Sequence, residues 1–136
     1  MYQIEQIPAE LTWAIRHEVM YPEKELKDIK LADDEDGIHF GLFDHNQLIS
    51  IVSWFKRGNN AQFRKLATVK QYQGFGYATL LMEHIIEFSK SERADMLWCN
   101  SRKNVSDFYK KLGFKLTENT FNQDGYDFVI MELSLQ

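Results

Sequence analysis

Gln73-Gly74-Phe75-Gly76-Tyr77-Ala78 lies between a strand-like stretch, Phe63 to Val69, and a helix-like one, Thr79 to Lys90. A glycine-rich turn at such a junction points backbone N–H groups at one spot, and the start of the helix adds about half a positive charge there. The segment therefore reads as a seat for a phosphate or pyrophosphate. Two familiar phosphate turns are excluded. The P-loop requires Gly-Lys-Ser/Thr after four spacer residues, which this chain lacks. The dinucleotide turn requires a third glycine where Thr79 stands, an acidic residue closing a following strand, and a place after the first strand rather than the fourth.

Outward from the turn, the pattern predicts a strand at Tyr2 to Ile7, then a helix from Pro8 to about Val19 with Leu11, Ala14, Ile15 and Val19 on its core face. Period-two alternation follows, with Ile38, Phe40 and Leu42 on one face and Ile49, Ile51 and Ser53 on a face of the next strand. Asp44-His45-Asn46-Gln47 and Arg57-Gly58-Asn59-Asn60 read as turns. The helix after the glycine turn carries Tyr77, Leu80, Leu81, His84, Ile85 and Phe88 on one stripe. A strand at Asp95 to Asn100 and a short helix at Asn104 to Leu112 come next, with Gly113 as the glycine beyond the helix end. Phe114 to Leu135 reads as two strands joined around Asn122-Gln123-Asp124-Gly125. In outline this is an α+β chain, a mixed sheet with flanking helices.

The 136 residues, 44% hydrophobic and 14% aromatic, suit one globular domain spanning 1–136. A net charge of −4 argues against a nucleic-acid footprint. The single cysteine, Cys99, excludes an intrachain disulfide and a cysteine zinc cage. Asp33-Asp34-Glu35-Asp36 lacks calcium-loop spacing and reads as a solvated loop, so no metal is expected. No apolar run reaches the roughly 18 residues needed to span a membrane and nothing resembles a signal peptide, so a cytoplasmic protein is expected.

A second motif stands downstream, Cys99-Asn100-Ser101-Arg102-Lys103-Asn104-Val105-Ser106-Asp107-Phe108-Tyr109-Lys110-Lys111-Leu112-Gly113-Phe114. Its slots Arg102, Val105, Phe108, Tyr109, Lys111, Gly113 and Phe114, together with Gln73, Gly74, Gly76 and Ala78 upstream, resemble the two signatures of the GNAT acetyltransferases. Two motifs in order are far more specific than one. Ile15 to Met20 and Gly125 to Leu133 further resemble small bacterial members. The resemblance implies an acyl-CoA N-acyltransferase fold, with a mixed, mostly antiparallel sheet of about seven strands and about four helices. It implies acetyl-CoA as co-substrate, its pyrophosphate on the N–H groups of Gln73, Gly74, Phe75, Gly76, Tyr77 and Ala78. It places the pantetheine amides along Leu66, Ala67 and Thr68, with a Leu66 N–H for the thioester oxygen.

Tyr109 takes the family's slot for the acid that meets the leaving thiolate. Many relatives carry a glutamate on the central strand as base. Phe63-Arg64-Lys65-Leu66-Ala67-Thr68-Val69 holds no carboxylate, leaving a water relay, Glu18 or Asp127 as alternatives. Asn100 and Arg102 are cofactor-contact candidates, although Arg102 could instead cap the sheet. Lys111 reads as a solvated helix face, His84 as a partly buried core residue, His39 and His45 as surface residues, and Cys99 as a core filler. Trp13, Trp54 and Trp98 read as core or pocket walls. Arg16 and Tyr21 border the acceptor mouth in this fold. The function implied is acetyl transfer to a primary amine of a small molecule or peptide. A silent acyl-CoA-binding module is the alternative, and a homodimer is compatible with either. A pI near 5.5 leans toward a cationic acceptor.

Overall fold

A computed structural model describes residues 1–136. Seven strands form one sheet: β1 (Tyr2–Ile7), β2 (Ile38–Asp44), β3 (Gln47–Arg57), β4 (Asn60–Thr68), β5 (Met96–Arg102), β6 (Lys115–Gln123) and β7 (Tyr126–Ser134). Their order is β1-β2-β3-β4-β5-β7-β6. β4 and β5 run parallel, whereas β1–β2, β2–β3, β5–β7 and β6–β7 are antiparallel. The helices are α1 (Glu10–Ile15), α2 (Tyr77–Ser91) and α3 (Ser106–Lys111). These are three helices rather than the expected four or so. The charge-dense stretch before β2, with no apolar period, forms only short 3₁₀ turns at Leu26–Asp28 and Asp34–Asp36.

The contacts divide the chain into two compact units. The first comprises Met1–Phe55 and Lys65–Ile85. Its core gathers Ile7, Ile15, Ile51, Ala67 and Val69, with Val19, Met20, Phe43, Leu48 and Tyr72 against them. The β2–β3 turn closes on His45 and Asn46, both with positive φ (51° and 64°), as a two-residue hairpin turn of this hand requires. The inward face of α1 keeps the expected spacing but is rotated by one residue. Thr12, Ile15 and Arg16 are buried, while Leu11 is 47% exposed. The cause is Arg16, fully buried and forked onto Asp34 through two hydrogen bonds of 2.9 Å. After Ile15 the helix widens into a π-helical turn, Arg16–Met20.

This ion pair corrects two expectations. Asp34 is not solvated; it also accepts from the Leu31 N–H and the Trp13 indole. His39 is buried rather than on the surface. It lies opposite Ser53 in the β2–β3 register and bonds the Ser53 hydroxyl at 2.7 Å through Nδ1 and the Asp34 carbonyl at 2.8 Å through Nε2. Arg16 donates to the same hydroxyl at 2.8 Å. On α2, Leu81 and Ile85 are buried as the stripe predicts, but His84 remains exposed, its ring edge-on to Phe40 at 5.3 Å.

The second unit comprises Lys56–Arg64 and Ile86–Gln136. The β4–β5 ladder consists of Asn60↔Met96, Ala61↔Leu97 and Gln62↔Trp98 and ends there, while β5 keeps pairing with β7 as far as Arg102↔Phe128. At the point where the ladder ends, the Phe63 ring lies 5.5 Å from Tyr109 and 5.7 Å from Phe114. The α3 terminus explains Gly113, whose φ is +100°. Phe114 N–H donates to the Tyr109 carbonyl and Gly113 N–H to that of Lys110, the paired bonds of a Schellman end. Phe114 then packs on Tyr109, the hydrophobic contact that accompanies such an end.

Candidate functional site

In the first unit, β4 hands over through a 3₁₀ turn, Lys70–Tyr72, to the glycine segment and α2. Gly74 and Gly76 take φ of +85° and +87°, a backbone that other residues adopt only at a cost. An added Cβ on either would meet no atom within 4 Å, so the space over the turn is open. The first bond of α2 runs from Leu80 N–H to the Gly76 carbonyl at 3.1 Å. The N–H groups of Tyr77, Ala78 and Thr79 thus have no partner inside the helix, as at any helix start. Those of Gly74, Phe75 and Gly76 likewise donate to no backbone carbonyl.

Gln73 differs from the expectation that its N–H faces the ligand. That N–H is spent on the Lys70 carbonyl at 3.2 Å, and its side-chain amide donates to the Thr68 carbonyl at 2.8 Å. Gln73 braces the turn against the end of β4, and the array of free donors begins at Gly74. Phe75 is 72% exposed, as a turn that offers only its backbone allows. Tyr77 sends its hydroxyl to Asp44 at 3.3 Å and packs edge-on to Tyr72.

Ala67 and Thr68 are buried and Leu66 half-buried. The Ala67 carbonyl accepts from the Ser50 hydroxyl at 3.1 Å. Just before them, Lys65 takes φ of +59° in mid-strand, uncommon for a residue with a side chain. Non-glycine residues held in this sparsely populated backbone region cluster at functional sites. The Lys65 ammonium donates to the Tyr21 hydroxyl and lies 4.6 Å from the ring centroid, and Lys24 approaches the same ring at 4.6 Å. Sequence reading missed this group. The signal was present, because Lys65 occupies the inward parity of Ala61, Phe63, Ala67 and Val69. Arg16, the other acceptor-mouth candidate, is fully buried on Asp34 and Ser53 and cannot meet an acceptor.

In the second unit, Tyr109 is half-buried among Phe63, Phe108 and Phe114. Burial raises its phenol above the ordinary tyrosine value, and the neighbouring Cys99 adds to the shift. The group stays protonated throughout the physiological range. Cys99 is 3% exposed, a core filler as expected, and burial pushes its thiol up to about 12. The Arg102 guanidinium lies 4.0 Å over the Tyr126 ring. Asn100 is exposed on β5, opposite Ile130 of β7. Lys111 is exposed on α3. Of the alternative bases, Glu18 is exposed in the first unit, and Asp127 is exposed and bonded to the Asn122 amide at 3.1 Å.

A concavity of about 340 Å³ in the first unit is lined by Glu10, Glu35 and His39 among others. It adjoins the Ile7 end of β1, whereas the glycine turn's Tyr77 reaches Asp44, which pairs with Tyr2 at the other end. The concavity is therefore separate from the glycine turn.

Known proteins place this arrangement. The family described as the acetyltransferase (GNAT) domain matches residues 5–135. The uncharacterised N-acetyltransferase YitI of Bacillus subtilis is 28% identical over 134 residues, covering 92% of this chain and 90% of its own. A crystal structure of a proposed N-acetyltransferase from Lactobacillus plantarum superposes with a TM-score of 0.89 at 17% identity, covering 99% of each chain. A GNAT family acetyltransferase from Elizabethkingia anophelis with acetyl-CoA bound gives 0.75 at 16% identity, covering 98% of this chain and 97% of that one. The structural likenesses establish the fold, and the family match over nearly the whole sequence establishes more: the chain belongs to the GNAT acetyltransferase family.

Proposed function

We propose that residues 1–136 act as one catalytic domain that moves the acetyl group of acetyl-CoA to a primary amine of a small molecule or peptide, in the cytoplasm of a bacterial cell. The observation that supports this most is the turn after β4. There the N–H groups of Gly74, Phe75 and Gly76 meet no backbone carbonyl, those of Tyr77 to Thr79 precede the first bond of a 15-residue helix, and the space beside the two glycines is open. A pyrophosphate satisfies that array and gains from the helix dipole. The acetyl-CoA-bound relative agrees with this choice of ligand.

The reaction is direct attack in a ternary complex. The neutral amine nitrogen bonds to the thioester carbon, and the carbonyl oxygen takes the displaced electron pair. The oxygen's pair then re-forms the C=O bond as the C–S bond breaks and its electrons leave on sulfur. A Leu66 N–H aimed at the oxygen lowers the barrier by about 3 kcal/mol, the worth of one such donor. The pantetheine amides bond the edge of Leu66, Ala67 and Thr68 as an added strand does. Asn100 and Arg102 serve as further cofactor contacts.

Tyr109 meets the leaving sulfur. Its raised pKa keeps the proton in place but makes full transfer to a thiolate uphill, since thiols ionise near 8.5. Its part is therefore a hydrogen bond that tightens as charge builds on sulfur, with the proton passing only as the C–S bond opens. The amine's proton leaves to water, because β4 offers no carboxylate.

That missing carboxylate favours one second reading, a silent acyl-CoA-binding module. Tyr109→Phe separates the two. Turnover measured by thiol release should fall about 100-fold, in line with loss of a general acid, while acetyl-CoA affinity by calorimetry stays within about twofold. Thiol release that is absent in the wild-type chain with every amine offered, despite acetyl-CoA binding, selects the silent module.

A further inference from the structure

Two ammonium groups converge on one aromatic ring in the first unit. Lys65 and Lys24 each lie 4.6 Å from the centroid of Tyr21, and Lys65 also donates to its hydroxyl. The placement is built from several directions. The π-helical turn Arg16–Met20 ends at Tyr21, whose N–H is shared between the carbonyls of Arg16 and His17 at 3.2 Å. The buried Arg16–Asp34 pair fixes the root of that turn. His17 Nε2 bonds the Lys24 carbonyl at 2.6 Å, holding the second lysine to the helix. Lys65 arrives from β4 through a backbone of positive φ. No carboxylate forms an ion pair with either lysine; Lys27, Lys90 and Lys110, by contrast, each have one.

We infer that this lysine pair binds a carboxylate of the acceptor, so that the substrate class is a primary amine that also carries a carboxylate; this rests on the proposed transfer to an amine. Lys65 directly precedes Leu66, whose N–H is proposed to hold the reacting carbonyl, so one member of the pair is a single residue from the proposed point of attack. A carboxylate there accepts from one or both ammonium groups in charge-assisted hydrogen bonds. A diamine meets two positive charges instead. The overall charge of −4 points to a cationic acceptor, but an exposed charge is largely screened beyond about 10 Å, so the two nearby lysines decide.

The test is equilibrium binding of product analogues to the full chain, independent of turnover. The ligands are N-acetylated ω-amino acids of graded length, each beside its neutral amide, titrated with and without CoA and followed by the ¹³Cε signals of Lys24 and Lys65. At least one acid should bind about tenfold or more tightly than its amide and shift both signals. The preference should fall below about twofold in Lys24→Met/Lys65→Met, with CoA affinity unchanged. Equal binding of every acid and its amide, or a preference that survives the double substitution, overturns the inference. If the double variant does not fold, the wild-type comparison and its lysine shifts still decide. Failure of the transfer reading shows separately, as absent thiol release with every amine while the preference for acids persists.

Discussion

Cys99 and Tyr109 are neighbours in the second unit, and their surroundings make opposite use of burial. For Tyr109 burial keeps the phenol protonated, as the proposed donor role needs; for Cys99 it removes a nucleophile, because only the thiolate reacts. With its thiol pushed up to about 12 and 3% of the residue exposed, Cys99 in the native chain should resist maleimide at pH 8. It should react stoichiometrically once the chain is unfolded in guanidinium, as intact-mass measurement will show. Rapid native labelling would contradict the packing described. At this scale the sequence was informative where a residue's role depends on near neighbours. Gly74 and Gly76 stand where the sequence placed a glycine turn, with φ of +85° and +87°, and Cys99 is the core filler that the absence of a basic partner suggested. Lys65 was only half legible: its inward parity was there to read, but no glycine marks its positive φ. Gln73 was half legible: its motif slot was clear, but that its N–H turns back to Lys70 was not.

Among elements, β1 matches its predicted bounds of Tyr2 to Ile7, and the end of α3 at Gly113 was visible because a left-handed residue after a helix calls for glycine. That end has a measurable consequence. In Gly113→Ala the new Cβ keeps φ of +100° and comes within 3.3 Å of Leu133. The cost is about 1–2 kcal/mol, the left-handed penalty for a residue with a Cβ. For a chain of this size it should lower Tm by about 3–8 °C. Turnover should suffer more than acetyl-CoA binding, because the same turn orients Tyr109 through Phe114. An unchanged Tm would show that the Schellman end contributes nothing. The first helix was less legible. Its apolar spacing is real, but a buried Arg16 rotates the inward face, and a sequence pattern that counts apolar residues assigns arginine to solvent.

For the whole molecule, the sheet was legible as a sum of strands and turns, whereas the strand order and the parallel pairing of β4 with β5 came from the structure. What local patterning could not reveal is the polar network of Arg16, Asp34, His39 and Ser53, whose members are distant in sequence. It makes stability depend on pH. Burial disfavours the Asp34 carboxylate, yet the hydrogen bonds from Arg16, Leu31 and Trp13 and the charge of Arg16 outweigh that, and its pKa lies below the usual 3.8. The native state then binds fewer protons than the unfolded state around that value. Stability from this group is complete above about pH 5 and is lost as pH falls through 3.8 and below. Urea unfolding between pH 3 and 7 should show that loss, and Asp34→Asn should flatten it while costing about 3–5 kcal/mol at neutral pH, the effect of stranding a buried Arg16. A pH profile identical to wild type would remove Asp34 from the account.

The proposed transfer rests on the N–H groups of Gly74 to Thr79, and its decisive test is calorimetric titration of the full chain with acetyl-CoA. One acetyl-CoA per chain should bind at a micromolar Kd, about −8 kcal/mol, with no heat from NAD under the same conditions. Absence of acetyl-CoA binding at millimolar concentration would contradict it, leaving the glycine turn as a helix start and withdrawing the transfer reaction with it.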